Sequence, residues 1–351
     1  MSYTLPEKAA TLKPYDPVEG TYAIRLDANE SWLTPDAATR ERWGKAVASM
    51  DFNRYPDPLA SKPVAAFAAM YGVDPALVTA GNGSDELISV ILSTFLQKGE
   101  AMLCMAPDFS MYGFYTHITE NRAVVYQKNA DLQIEVEDVL ALAKQENVRL
   151  IIFSNPCNPT SLGLDREAVR RLIRSTDALV VLDEAYMDFW DQSLLGEVAD
   201  YDNLIILRTA SKALGLASVR LGLAVANPRL TAVMRAAKSP YNVNLATQTL
   251  AAEALSDSAY QRRCADTLVA SRRELQEGLR PLLAAGKLTR LYDSCTNFVF
   301  VELPNARRVF ETLKETYSIV VRCFGDSRLR ITAGSPDENA ALLKALKECL
   351  K

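Results

Sequence analysis

Residues 204–226 read LIILRTASKALGLASVRLGLAVA. Two continuous apolar runs, 204–207 (LIIL) and 221–226 (LGLAVA), bracket a polar segment that carries Lys212, with Ser211 beside it and Arg220 further on. A run that is apolar at every position fits a strand buried on both faces, as in a parallel sheet covered by helices. Toward the N-terminus the same kind of run recurs at 178–182 (ALVVL), 149–153 (RLIIF) and 101–105 (AMLCM). Stretches with helical spacing lie among them: 84–97, with Leu87, Ile88, Ile91, Leu92 and Phe95 on one face, then 135–145 and 165–175. Strand and helix in alternation predict an α/β open sheet.

The last third differs. Residues 257–284 read as one long helix, with Arg262, Arg263, Arg272, Arg273 and Glu274 on its polar side. Strand-like runs follow at 297–303 (NFVFVEL), 318–322 (SIVVR) and 328–332 (RLRIT), with helices at 306–316 and 337–350. The expected organisation is an N-terminal arm over 1–30, a large domain over 31–240 and a small α+β domain over 241–351.

The chain has 351 residues, 39 basic and 43 acidic, a net charge of −4, and 49% hydrophobic residues. At about 150 residues per domain, two domains are expected. The mild acidity supplies no basic surface for nucleic acid. No run approaches the length of a membrane span or resembles a signal peptide. Six cysteines without a C-x-x-C pair read as reduced thiols in a cytoplasm. The only histidine, His117, argues against a His-rich metal centre and a Ser-His-Asp triad.

Ligands of open α/β sheets sit beyond the carboxyl ends of the strands. Four short segments occupy such positions. Gly81-Asn82-Gly83-Ser84-Asp85-Glu86 opens a helix. Glycines let the backbone approach a ligand and first-turn N–H groups favour an anion, although a capped Gly-rich turn has the same appearance. Ser154-Asn155-Pro156-Cys157-Asn158-Pro159-Thr160 is a rigid turn with an amide that can face a ligand. Asp183-Glu184-Ala185-Tyr186 puts a carboxylate at the mouth of a buried sheet, which is costly unless it is paired. A cationic ring nitrogen would suit it, and so would a helix cap. Lys212 follows a buried strand amid small residues, where desolvation and Arg220 would lower its pKa and make the amine nucleophilic. In combination these residues supply what pyridoxal 5′-phosphate needs. The cup, Thr209, Ser211 and Arg220 would hold the phosphate, and Asp183 the ring nitrogen. Asn158 and Tyr186 would hold the ring oxygen. Lys212 would make the covalent link and shuttle the proton.

On these motifs the sequence resembles the fold-type-I pyridoxal-phosphate aminotransferases, and most closely the histidinol-phosphate aminotransferases, along essentially its whole length. Leu12-Lys13-Pro14-Tyr15 and Leu26-Asp27-Ala28-Asn29-Glu30 resemble that family's N-terminal arm. Asn53-Arg54-Tyr55-Pro56-Asp57 resembles the segment whose tyrosine reaches the neighbouring subunit's cofactor phosphate, which implies a homodimer. Pro107-Asp108-Phe109-Ser110-Met111-Tyr112 resembles the segment whose aromatic, here Phe109, stacks on the cofactor. Leu329-Arg330-Ile331-Thr332-Ala333-Gly334 resembles the segment whose arginine grips the substrate.

The resemblance implies a large domain with a mostly parallel seven-stranded sheet flanked by helices, plus a small α+β domain. It implies catalytic roles for Lys212, Asp183 and Tyr186. Cofactor contacts would come from Gly83, Ser84, Asp85, Phe109, Asn158, Thr209, Ser211, Arg220 and Tyr55. Substrate contacts would come from Tyr15, Asn29, Tyr241, Arg322 and Arg330. The sequence departs from the family at Asp108, where Thr is commoner, at Ser161, where Gly is usual, and in the short stretch from Arg322 to Arg330. Transamination between histidinol phosphate and 2-oxoglutarate is the implied activity. An aminotransferase for aromatic or other amino acids, or a threonine-phosphate decarboxylase, could use the same scaffold.

Overall fold

The computed structural model describes residues 2–14 and 17–351. Within them the strands are β1 (Ile24–Arg25), β2 (Val78–Asn82), β3 (Ala101–Ala106), β4 (Arg122–Gln127), β5 (Val148–Ser154), β6 (Leu179–Asp183) and β7 (Leu204–Thr209). They continue with β8 (Leu221–Ala226), β9 (Arg290–Leu291), β10 (Phe298–Glu302), β11 (Ile319–Val320), β12 (Arg322–Phe324) and β13 (Arg328–Thr332).

The largest sheet has seven strands in the order β2-β8-β7-β6-β5-β3-β4. It is parallel except for β8, which runs antiparallel to β2 and β7. Alternate residues of its strands enter two separate apolar cores. Ile151, Phe153, Leu204 and Ile206 go to one, and Leu150, Ile152, Ile205 and Leu207 to the other. The helix Gly83–Phe95 covers the second with Leu87, Ile88, Ile91 and Leu92. The helix Arg166–Arg174 covers the first with Val169, Leu172 and Ile173. Burying one such side chain is worth about 1.5–3 kcal/mol, and this two-sided demand is why the strands read as unbroken apolar runs. The edge strand β4 buries only alternate residues, so it carries no such run and escapes a search for one.

A four-stranded antiparallel sheet, β12-β13-β10-β9, forms a smaller unit. Its core gathers Val299, Val301, Ile331, Leu313 and Leu342 with Leu275 and Leu279 of the long helix Ser258–Ala284. The expected strand at 318–322 is divided. β11 pairs in parallel with β1, whereas β12 turns into the four-stranded sheet. Arg272, expected on the polar side of the long helix, is buried and donates to Gln276 Oε1 at 3.3 Å.

The expected boundary after residue 240 does not coincide with a division between cores. Ala251, Ala254 and Leu255 of the helix Leu245–Ser256, and Tyr260 and Cys264 of the long helix, pack in a core of the large sheet. We place the division within the long helix, between Cys264 and Leu275. The Ser239-Pro240 turn interrupts a helix pattern without interrupting the packing. The end of the expected arm also belongs to the smaller unit, through β1 and Leu26. Among the described residues, no helix is long and apolar enough to cross a membrane.

Candidate active site

The parallel strands end at one side of the sheet, where a cavity of about 530 Å³ opens toward the smaller unit. Its floor is set by strand ends. Gly83, at φ +80°, turns β2 into the helix Gly83–Phe95, so that the first-turn residues Ser84 and Asp85 line the cavity. β8 runs directly beneath. A Cβ on Gly222 would stand 2.3 Å from the Gly83 carbonyl carbon and 2.4 Å from Ser84 N, so only glycine permits this approach. Arg220 pairs with Asp85 at 3.4 Å and donates to the Ala217 carbonyl at 3.2 Å. At the end of β7, Thr209 Oγ1 donates to Ser211 Oγ at 3.0 Å and accepts from Ser211 N at 3.1 Å. Helix N–H groups, two hydroxyls and a guanidinium thus converge, a donor set suited to a phosphate.

Asp183 ends β6 and is buried. It accepts from Tyr112 OH at 2.8 Å and Ala185 N at 3.1 Å. No cation pairs with it among the described residues, and burial pushes its carboxyl up to about 7. The neighbouring Glu184 has a different fate, because successive residues of a strand point to opposite faces. It pairs with Arg208 at 3.1 Å on the far side. Lys212 Nζ donates to the Ala28 carbonyl at 3.0 Å and lies 5.9 Å from the centre of the Tyr186 ring. Burial, then the charges of Arg330 and Arg220, lower its pKa to about 8. Tyr186 OH accepts from Asn29 Nδ2 at 2.8 Å, and burial raises its phenol to about 12.

The rim comes from distant segments. Arg330 donates to Asn158 Oδ1 and to the Asp27 carbonyl, with its guanidinium 5.5 Å from the Phe298 ring centre. Arg322 stands opposite it in the β12–β13 register. Asn29 is held by Thr332 Oγ1 at 3.0 Å, and Asn297 Nδ2 donates to its carbonyl at 3.1 Å. Phe109 lines the side wall, edge-on to Tyr112 at 5.5 Å.

The cavity therefore assembles Ser84, Asp85, Phe109, Asn158, Asp183, Tyr186, Thr209, Ser211, Lys212, Arg220, Asn29, Arg322 and Arg330, as expected from sequence. Tyr15 lies outside the described residues. Tyr241 does not line the cavity of its own chain; it stacks on Tyr55 at 4.6 Å. A left-handed backbone at φ 55° turns it outward from the chain after the helix Pro228–Ala237. Tyr55 is 82% exposed and does not reach the cavity of its own chain. Sequence reading missed Tyr112 as the partner of Asp183, and it missed Glu30 and Ser154 on the wall. Tyr112 carries no local mark of its role beyond lying a helical turn after Phe109. Ser161, where glycine is usual, adopts φ 63° and recovers by donating to the Asp293 carbonyl at 2.9 Å. A second cavity of about 560 Å³ beside Met70, Tyr71 and Leu255 is largely apolar, with Asp188 and Arg262 on its lining but no lysine.

Residues 20–346 match the family model described as aminotransferase class I and II. The histidinol-phosphate aminotransferase of Clostridium kluyveri is 36% identical over 342 residues, 96% of each chain. That of Parabacteroides distasonis is 35% identical over 352 residues, covering 96% of this chain and 95% of the relative. In three dimensions the chain resembles the histidinol-phosphate aminotransferase of Sinorhizobium meliloti, solved in complex with pyridoxal 5′-phosphate. The TM-score is 0.89 at 24% identity, over 99% of this chain and 97% of that one. Sequence and architecture agree that this chain belongs to the class I and II aminotransferases, on the fold-type-I scaffold.

Proposed function

We propose that the protein is a pyridoxal-phosphate-dependent enzyme of histidine biosynthesis. It would exchange the amino group between histidinol phosphate and 2-oxoglutarate, giving imidazole acetol phosphate and glutamate. One observation carries the reading. A lysine with its amine lowered to about 8 shares a cavity with a buried carboxylate raised to about 7 that lacks a cation. The fit to the cofactor rests on these two groups and the anion cup. A protonated ring nitrogen is the partner that Asp183 lacks, and the close approach of Gly222 to Ser84 keeps the cup open.

When bound, pyridoxal phosphate supplies an electron-accepting ring beside the substrate's α-carbon. Ser84, Asp85, Thr209, Ser211 and Arg220 hold its phosphate, with Tyr55 reaching in from the second subunit of a homodimer. Asp183 keeps a proton on the ring nitrogen, and Tyr112 OH orients Asp183. Asn158 spends its oxygen on Arg330, which leaves its Nδ2 to donate to the ring oxygen together with Tyr186. Phe109 packs on the ring face. Lys212 would carry the covalent attachment and, once freed by the substrate's amine, its lowered amine would be the group placed to move the proton of the substrate's α-carbon. Arg330 and Arg322 grip anionic groups, a carboxylate of glutamate in one half-reaction and the phosphate of histidinol phosphate in the other. Asn29 holds Tyr186 through its Nδ2. Six cysteines without a C-x-x-C pair suit a reducing compartment and support a cytoplasmic location.

A half-reaction screen tests this. The cofactor-loaded protein is mixed with histidinol phosphate, phenylalanine, leucine or O-phosphothreonine and its absorbance is followed. Fastest conversion with histidinol phosphate is expected. Preference for an unphosphorylated amino acid would replace the substrate. Carbon dioxide release from O-phosphothreonine without need of 2-oxoglutarate would make the protein a decarboxylase.

A further inference from the structure

Asp108 is a half-buried carboxylate to which the reaction above assigns no part. It sits between the end of β3 and the helix Met111–Ile118. Its Oδ1 accepts from Phe109 N at 2.7 Å and from the Ser154 hydroxyl, and its Oδ2 accepts from Ser154 N at 3.2 Å. Ser154 is the last residue of β5, and its Oγ accepts in turn from Asn158 N at 3.1 Å. Asn158 Oδ1 receives Arg330. A chain of hydrogen bonds thus runs from the backbone of Phe109 through Asp108, Ser154 and Asn158 to the guanidinium at the rim. Lys128 stands nearby, with its ammonium 2.9 Å from the Pro107 carbonyl and 2.9 Å from Cys157 Sγ, and its charge offsets only part of the desolvation that raises the Asp108 carboxyl.

We infer that Asp108 is a positioning residue: its carboxylate clamps the connector after β3 to the end of β5 and so sets where the Phe109 ring and the Asn158 amide stand in the cavity. This rests on the cofactor reading above. Two oxygens bound by three donors from two segments make a brace that one hydroxyl cannot reproduce. The commoner threonine could hold Ser154 or Phe109 N, but not the whole set. The geometry also explains the orientation of Asn158. Its backbone N–H is pinned by Ser154, and its Oδ1 is taken by Arg330. Its Nδ2 lies free of hydrogen bonds among the described residues and lines the cavity. Asn at position 108 keeps the size but turns an amide donor toward donors.

The test is a double-mutant cycle on cofactor binding. The dissociation constant of pyridoxal phosphate is measured for the wild type, Asp108→Asn, Asn158→Ala and the double variant, with unfolding midpoints in parallel. Acting through Asn158, Asp108→Asn should weaken binding about tenfold in the wild-type background and less than about twofold once Asn158 is Ala. A merely structural role would give equal factors in both backgrounds, which would overturn the inference, as would unchanged binding in Asp108→Asn. Asp108→Thr replaces Asp108→Asn in the cycle if the latter fails to fold, with a smaller loss and the same dependence on Asn158. A wild type that takes up no pyridoxal phosphate overturns the cofactor reading itself, and this inference with it.

Discussion

The floor and the rim of the cavity are built on opposite principles. The floor is a set of strand ends: Asp183 on β6, Thr209, Ser211 and Lys212 after β7, and the glycine cup after β2. Each functional residue lies a few positions beyond an apolar run, and the sheet aligns those ends by backbone hydrogen bonding alone. The rim is assembled from the two ends of the chain. Asn29 meets Thr332 across 303 residues, as does Arg330 with the Asp27 carbonyl. The floor is rigid because both faces of its strands are packed. The rim depends on how the smaller unit and the N-terminal segment close over it. On the proposed reading, chemistry that tolerates no displacement belongs to the floor and substrate recognition to the rim.

Substitutions can break or sharpen that contrast. Lys212→Ala should cost the most, about 10²–10⁴-fold in turnover as a lost proton-transfer group, while cofactor binding is only weakened. Single-turnover absorbance changes measure it, and near-wild-type turnover would remove Lys212 from its role. In the wild type, covalent cofactor uptake should accelerate as pH rises through about 8, because the neutral amine is the nucleophile.

Asp183→Asn should rank next in activity while having the opposite effect on the cofactor-free protein. The Asp183 carboxyl is raised from 3.8 to about 7, so its protonated form is the one the fold favours. Its contribution to stability is full below pH 4 and is lost as pH rises to 7, on the order of a few kcal/mol. Denaturant titrations at several pH values should show this loss in the wild type and a flatter profile in Asp183→Asn. Equal profiles would mean that Asp183 is solvated or already paired.

Gly222→Ala tests the floor without removing a functional group. Its methyl group would have to displace Gly83 and Ser84, so cofactor affinity should drop at least tenfold while the substrate preference is kept. At the rim, Arg322→Ala should spare cofactor binding and raise KM for the phosphorylated amine by roughly tenfold or more, the worth of a charge-assisted hydrogen bond. A loss of cofactor instead would place Arg322 on the floor. Tyr55→Phe should have the smallest effect, a few-fold loss of cofactor affinity seen only in a dimer; sedimentation and cofactor titration together measure it.

The same contrast governs what could be read in advance. Central strands announce themselves because burial on both faces forces every residue to be apolar, and the residue after each run is then a candidate. Lys212, Asp183 and the cup were legible for that reason. β4 was not, since an edge strand alternates. The proline turn at 239–240 marks the backbone, whereas packing in the core of the large sheet continues through Leu255 and Cys264. The stacking of Tyr241, a left-handed residue, on Tyr55 is likewise a contact that no spacing encodes. Tyr112 and Ser154 act only through contacts that no spacing encodes.

By itself, then, the sequence determined the α/β class, the order of the strand ends and the place of Lys212 just beyond one of them. Those follow from short-range patterning that burial imposes on each segment separately. The tertiary structure alone decided that Asp183 lacks a cation, that Glu184 has one, and that Arg330 reaches Asn158 and Asp27. Charge and hydrogen-bond partners depend on distance in space, and folding brings together residues that the chain keeps hundreds of positions apart.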